Sequence, residues 1–275
     1  MLVDSAALQK SRIAKQFSRA ANMYNAAADV QLDIAFDAVE LVPKKCALSL
    51  DIGCGTGRVT KQLATKTKQV IGMDLAFGMV NYAKQQFIDS KLIDWIQGDA
   101  ENIPLAQGSV DMVFSSMALQ WCTDLNTVMS ELQRVLRPGG HGVLAIMCEG
   151  SFEELNRSWQ QVDEYHHVNT FETAKSWHKA ASEQGLRTTS KIKSYVTWHN
   201  NIRDLLASIK SIGANVVLPN PSIVKVKSST KKSNYKPLSR STLQNLETAY
   251  RKNYEETLQL PLTYQVCFIQ ITKPL

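Results

Sequence analysis

From residue 46 the chain alternates short apolar runs with amphipathic stretches, and this alternation narrows the possible folds more than any other feature. The runs are "CALSLDI" (46–52), "QVIGMDL" (69–75), "IDWIQGD" (93–99), "VDMVFSS" (110–116) and "HGVLAIM" (141–147). Helical periodicity separates several of them, near 58–66, 77–90 and 124–136. Strands that are almost continuously apolar are covered on both faces, and intervening helices make them parallel. The expected class is therefore α/β, a mostly parallel sheet with helices on both faces.

The flanks read differently. Ile13, Phe17, Ala20, Ala21, Met23 and Tyr24 recur at helical spacing, and a second helix over about Asp29–Leu41 is stopped at Pro43. After residue 150 the expected elements are helices near 151–165, 172–184, 201–212 and 239–258 and a strand at 188–198. The last run, "TYQVCFIQI", alternates enough for an antiparallel edge or near-edge strand. No internal repeat is present. Residues 1–275 read as one domain: an N-terminal helical lid (1–43), a core (44–150) and a C-terminal part (151–275) carrying an insertion at about 215–240. The 275 residues, 44% hydrophobic and 20% charged, suffice for that domain.

Composition also excludes some classes. No apolar run approaches the 18 or so residues of a membrane span, and the N-terminus lacks an apolar signal core. Five scattered cysteines, Cys46, Cys54, Cys122, Cys148 and Cys267, form no C-x-x-C pair. That speaks against a disulfide framework or a metal site and fits a reduced cytoplasm. The net charge of +6 is concentrated at 225–240, where Lys225, Lys227, Lys231, Lys232, Lys236 and Arg240 occur without an acid. By itself such a stretch reads as a solvated loop.

The first apolar run ends in "LSLDIGCGTGRVT" (48–60), an acid followed by three glycines in five residues. Glycine at a strand-to-helix turn lets a ligand approach the backbone. The spacing D-x-G-x-G-x-G is neither the dinucleotide pattern nor a phosphate-cradling loop. Asp51 would repel a pyrophosphate and suits a cation such as an α-ammonium. A tight turn without a ligand is the plainer alternative.

This constellation resembles the first motif of class I S-adenosylmethionine (SAM) methyltransferases, with their Rossmann-like sheet. The resemblance implies that Asp51, Gly53, Gly55 and Gly57 wrap the methionine end. Asp74, closing the second run, would bind the ribose hydroxyls. Asp99 would face the adenine amino group beside the Ala100 amide, with Leu75 and Met79 as apolar walls. Ser115 is counted with this cofactor-binding set. "LRPGG" (136–140), expected as a turn into the fifth strand, is another mark of these enzymes.

For the acceptor, "FSSMALQWCTDL" (114–125) has no histidine and no motif of amino-group methylation, which fits an acceptor needing no base. Here the chain resembles the malonyl-acyl carrier protein O-methyltransferases of biotin synthesis. The segments that carry this are "FSRAANMYNAAADVQ" (17–31), "SSMALQWCTDL" (115–125), "GSFEELNRSWQQVDEYHHVNTF" (150–171), "SIKSIGA" (208–214) and "LPLTYQVCFI" (260–269), with Ser116 and Met117 where the family has Asn-Leu. The resemblance implies methylation of the malonyl carboxylate, so that fatty-acid elongation accepts the chain as a primer. It also implies an acceptor pocket formed by Tyr24, Gln120, Trp121 and Phe171. The acidic carrier protein would dock on the basic segment; no nucleic-acid or membrane partner is expected. Another small-molecule methyltransferase, for a free acid or a quinone ring carbon, is the alternative.

Overall fold

A computed structural model of the chain describes residues 5–24, 29–44, 46–211, 239–254 and 256–275. Seven strands form one sheet: β1 (Cys46–Ile52), β2 (Thr67–Asp74), β3 (Ile93–Gln97), β4 (Val110–Ser116), β5 (Leu136–Met147), β6 (Arg187–His199) and β7 (Leu260–Thr272). Their order is β3-β2-β1-β4-β5-β7-β6. β1 to β5 pair in parallel, and β7 runs antiparallel to both its neighbours. The last apolar run is thus next to the edge, and β6 forms the edge itself.

Nine helices belong to the described residues: α1 (Ser5–Tyr24), α2 (Asp29–Glu40), α3 (Arg58–Leu63), α4 (Phe77–Gln86), α5 (Leu125–Val135), α6 (Glu153–Gln160), α7 (Ala174–Glu183), α8 (Ile202–Ser211) and α9 (Arg240–Asn253). The two-residue period of a strand divides the side chains between two cores. Met112 and Phe114 face Ile34 and Ala38 of α2 in a core that also takes in α6, α8 and α9. Val113 belongs to the opposite core, with Val128, Met129 and Leu132 of α5 and Trp177 of α7.

Some boundaries depart from expectation. α6 ends at Gln160 and α9 at Asn253, each about a turn early. "LRPGG" is part of β5 rather than a turn before it. Gly139 donates to the Lys273 carbonyl and Lys273 donates to that of Gly140, each at 2.9 Å. Pairing with the end of the chain keeps this glycine-rich segment extended. No helix among the described residues is long and apolar enough to cross a membrane.

The topology places the site. After β1 the chain builds β2 and β3 on one side, then returns to lay β4 on the other. The connections beyond the carboxyl ends of β1 and β4 therefore diverge, and a crevice opens between them.

Candidate functional site

The glycine loop is bound to its neighbours through its backbone. Gly53 and Cys54 both donate to the Met73 carbonyl, at 2.8 and 3.0 Å. All three glycines have positive φ, but space treats them differently. A Cβ on Gly53 would lie 2.2 Å from that of Ala118, and one on Gly57 would meet Trp95 at 2.5 Å. A Cβ on Gly55 would meet nothing within 4 Å. The outer glycines allow close packing, while Gly55 leaves open space.

That space belongs to an open cleft whose empty volume, including its mouth to solvent, is about 800 Å³. It runs from Gly53 and Gly55 past Asp74, Leu75 and Met79 to Asp99 and Ala100. α1 covers it with Lys10, Ile13 and Phe17; the turn after β4 supplies Met117, Leu119, Trp121 and Cys122. A second hollow of about 530 Å³ shares Gly53, Gly55, Ser116 and Met117 and is lined by Asp51, Thr56 and Gln31 as well. Met117, at the junction, is one of two described non-glycine residues with positive φ.

The acids stand where the strands deliver them. Asp51 is buried and accepts from the Thr60 hydroxyl at 2.6 Å. Burial pushes its carboxyl up to about 7, against the opposing hydrogen bond and with a further contribution from Asp74. Asp74 accepts from the amides of Gly55 (3.0 Å) and Ala76 (2.8 Å), yet burial still raises its pKa. Asp99 pairs with Lys10 of α1 at 2.7 Å and accepts from the Glu101 amide at 2.9 Å. Lys10 also reaches Glu101 at 2.7 Å. Burial works against its charge, but the two carboxylates outweigh it and raise the Lys10 pKa.

Of the residues singled out from the sequence, Asp51, Gly53, Gly55, Asp74, Leu75, Met79, Asp99, Ala100 and Trp121 line one hollow or the other. Gly57 caps α3 and packs under Trp95 instead. Ser115 turns its hydroxyl to the Ile52 carbonyl at 2.8 Å, fastening β4 to β1. Gln120 sits in a single 3₁₀ turn, Leu119–Trp121, its Oε1 buried without a partner. Phe171 packs edge-on against Phe152 at 6.0 Å and does not line either hollow. Tyr24 is the last residue of α1; its side chain lies outside the described residues, as do Lys225, Lys227, Lys231, Lys232 and Lys236.

Ser116, Lys10, Phe17 and Gln31 also line the hollows but were not singled out as site residues from the sequence. Gln31 left a signal: it shares the buried stripe of α2 with Ile34, Ala35 and Ala38, where a polar residue calls for an explanation.

The cleft suits SAM. Acids at successive strand ends, Asp51 buried and Asp74 half-buried, match an ammonium and a ribose, apolar walls match a purine, and Gly55 leaves the loop open to a ligand. Residues 50–144 match the model of a methyltransferase domain family. The malonyl-acyl carrier protein O-methyltransferase of Yersinia pestis is 39% identical over 208 residues, 75% of this chain and 76% of that protein. The biotin biosynthesis bifunctional protein BioHC of Cellvibrio japonicus is 36% identical over 272 residues, 98% of this chain; the chain spans about half (51%) of that longer protein. The YcgJ protein of Bacillus subtilis shares the fold, with a TM-score of 0.61 and 16% identity over 88% of this chain and 98% of that one. With SAM as its methyl donor, the chain belongs to the malonyl-acyl carrier protein O-methyltransferase family.

Proposed function

We propose that the chain methylates the free carboxylate of a malonyl thioester carried on acyl carrier protein, giving the methyl ester that primes biotin synthesis. The observation that carries the reading is that the stretch after β4, one of the segments that resemble the family, forms a wall of the cofactor cleft through Met117, Leu119, Trp121 and Cys122. Bound there, SAM supplies a methyl carbon made electrophilic by its sulfonium. Asp51, Asp74 and Asp99 hold the cofactor's polar groups, and Leu75 and Met79 flank its base. A malonyl carboxylate is already ionised at neutral pH, so the protein's task is orientation and exclusion of water. Trp121, edge-on to Phe17 at 6.2 Å, walls the cofactor cleft and helps to exclude water from it. The unpartnered Oε1 of Gln120 orients a polar group of the acceptor, and Tyr24 completes the acceptor side; Phe171, packed on Phe152 and off both hollows, stands apart from it.

Mass spectrometry of malonyl-acyl carrier protein incubated with enzyme and SAM tests the reaction. A mass gain of one methyl replacing a hydrogen, dependent on SAM, is expected; no gain would refute it. Carrier docking on Lys225, Lys227, Lys231, Lys232, Lys236 and Arg240 is the finer part of the proposal. It is supported by charge alone, Arg240 being exposed at the start of α9.

A further inference from the structure

Gln31 is 7% exposed, and neither its Nε2 nor its Oε1 has a hydrogen-bond partner. It lines the hollow that also contains Asp51 and Ser116. The Ser116 hydroxyl is buried and unpartnered too. Buried polar groups are nearly always satisfied, so two orphans on one small hollow mark a place where a ligand completes the bonding. Both offer a hydrogen-bond donor, Nε2–H and Oγ–H, which suits a carboxylate. Asp51, when ionised, repels a lone carboxylate, whereas Arg58, which also lines the hollow, attracts one, so the hollow presents charges of both signs. A carboxylate that carries its own ammonium suits such a hollow, because the ammonium faces the acid.

We propose that Gln31 and Ser116 form a carboxylate clamp, and that with Asp51 they read the zwitterionic aminoacyl end of the cofactor. Gln31 on α2 then ties the helix before β1 to the ligand, and Ser116 does so from the far side of the β1/β4 crevice. The proposal takes SAM as the donor and is independent of which acceptor is methylated. The other carboxylate within reach is the acceptor's, and only that version rests on the malonyl reading.

The test uses Gln31→Met, an apolar replacement of similar length, and Ser116→Ala. Calorimetry on the full chain without acceptor compares S-adenosylhomocysteine with 5′-methylthioadenosine, which lacks the aminoacyl group. Expected is a tenfold or greater loss of S-adenosylhomocysteine affinity in Gln31→Met, with 5′-methylthioadenosine unchanged. The ligand-free unfolding temperature should hold or rise, because an unpartnered amide leaves the interior. A smaller loss of the same pattern is expected for Ser116→Ala. If S-adenosylhomocysteine binding is unchanged but KM for malonyl-carrier protein rises, the clamp serves the acceptor's carboxylate. If both adenosine ligands weaken alike, or stability falls with all affinities intact, Gln31 is structural and the proposal is overturned. Wild-type enzyme that fails to methylate malonyl-carrier protein sinks the acceptor reading, while the calorimetry still decides the clamp.

Discussion

Gly53 and Gly55 share a loop and a positive φ, yet answer to different constraints. Gly53→Ala would drive a Cβ into Ala118 and should cost about 2 kcal/mol or more in stability. Gly55→Ala faces only the cost of left-handed backbone, about 1 kcal/mol, and should instead weaken SAM binding through the Cβ entering the cleft. Thermal unfolding and calorimetry on both variants separate the effects, and identical profiles would contradict this assignment. Asp51 carries a pH signature. Its folded-state pKa of about 7 lies above the unfolded value of about 3.9. The protonated acid therefore favours the fold; that contribution is complete below about pH 4 and is lost as pH rises through about 7. Asp51→Asn should raise the ligand-free unfolding temperature at about pH 8 and change it little at about pH 4. S-adenosylhomocysteine affinity of the wild type should grow between about pH 6 and pH 8, as the acid ionises to meet the ammonium, and that growth should vanish in Asp51→Asn. Asp51, Asp74 and Asp99 were readable from sequence because each closes its own apolar run. Ser116 was not, because an apolar run covered on both faces does not tell which of two adjacent serines faces the crevice.

At the scale of elements, α1 decides whether the cleft is covered. Its apolar spacing is visible in the sequence, but its seat is not. The seat is a close approach to α4, where a Cβ on Gly78 would lie 2.8 Å from the Ser18 Cβ and 2.9 Å from its Cα, and the Lys10 bridge to Asp99 and Glu101. Gly78→Val should lift α1 from α4, speed proteolysis within α1 and weaken S-adenosylhomocysteine about tenfold. Lys10→Met removes the bridge alone and should produce a smaller increase in cofactor dissociation, about threefold, with α4 packing intact. Stopped-flow release of S-adenosylhomocysteine measures both, and equal release rates in wild type and Lys10→Met would deny the bridge a covering role. The extended course of "LRPGG" was equally hidden. Two glycines beside a proline look like a turn until the backbone of Lys273, far along the chain, pairs with them.

For the whole molecule, the net charge of +6 favours an acidic partner on approach. Reversing Lys225, Lys227, Lys231, Lys232 and Lys236 to glutamate should lower kcat/KM for carrier-bound malonyl substrate at low salt by about tenfold or more, leave SAM affinity unchanged, and lose its effect as salt rises. Equal kcat/KM across salt concentrations would remove the docking surface. The α/β layering, the glycine loop and the acids at the strand ends follow from local order along the chain, because periodicity and spacing are properties of neighbouring residues. Tertiary structure alone decided that β4 returns beside β1, that Lys10 meets Asp99 across 89 positions of chain, and that Gln31 and Ser116 open onto the same hollow. Those groups meet because the sheet's strand order and the seating of α1 and α2 bring distant segments into contact, and no local pattern encodes where such segments meet.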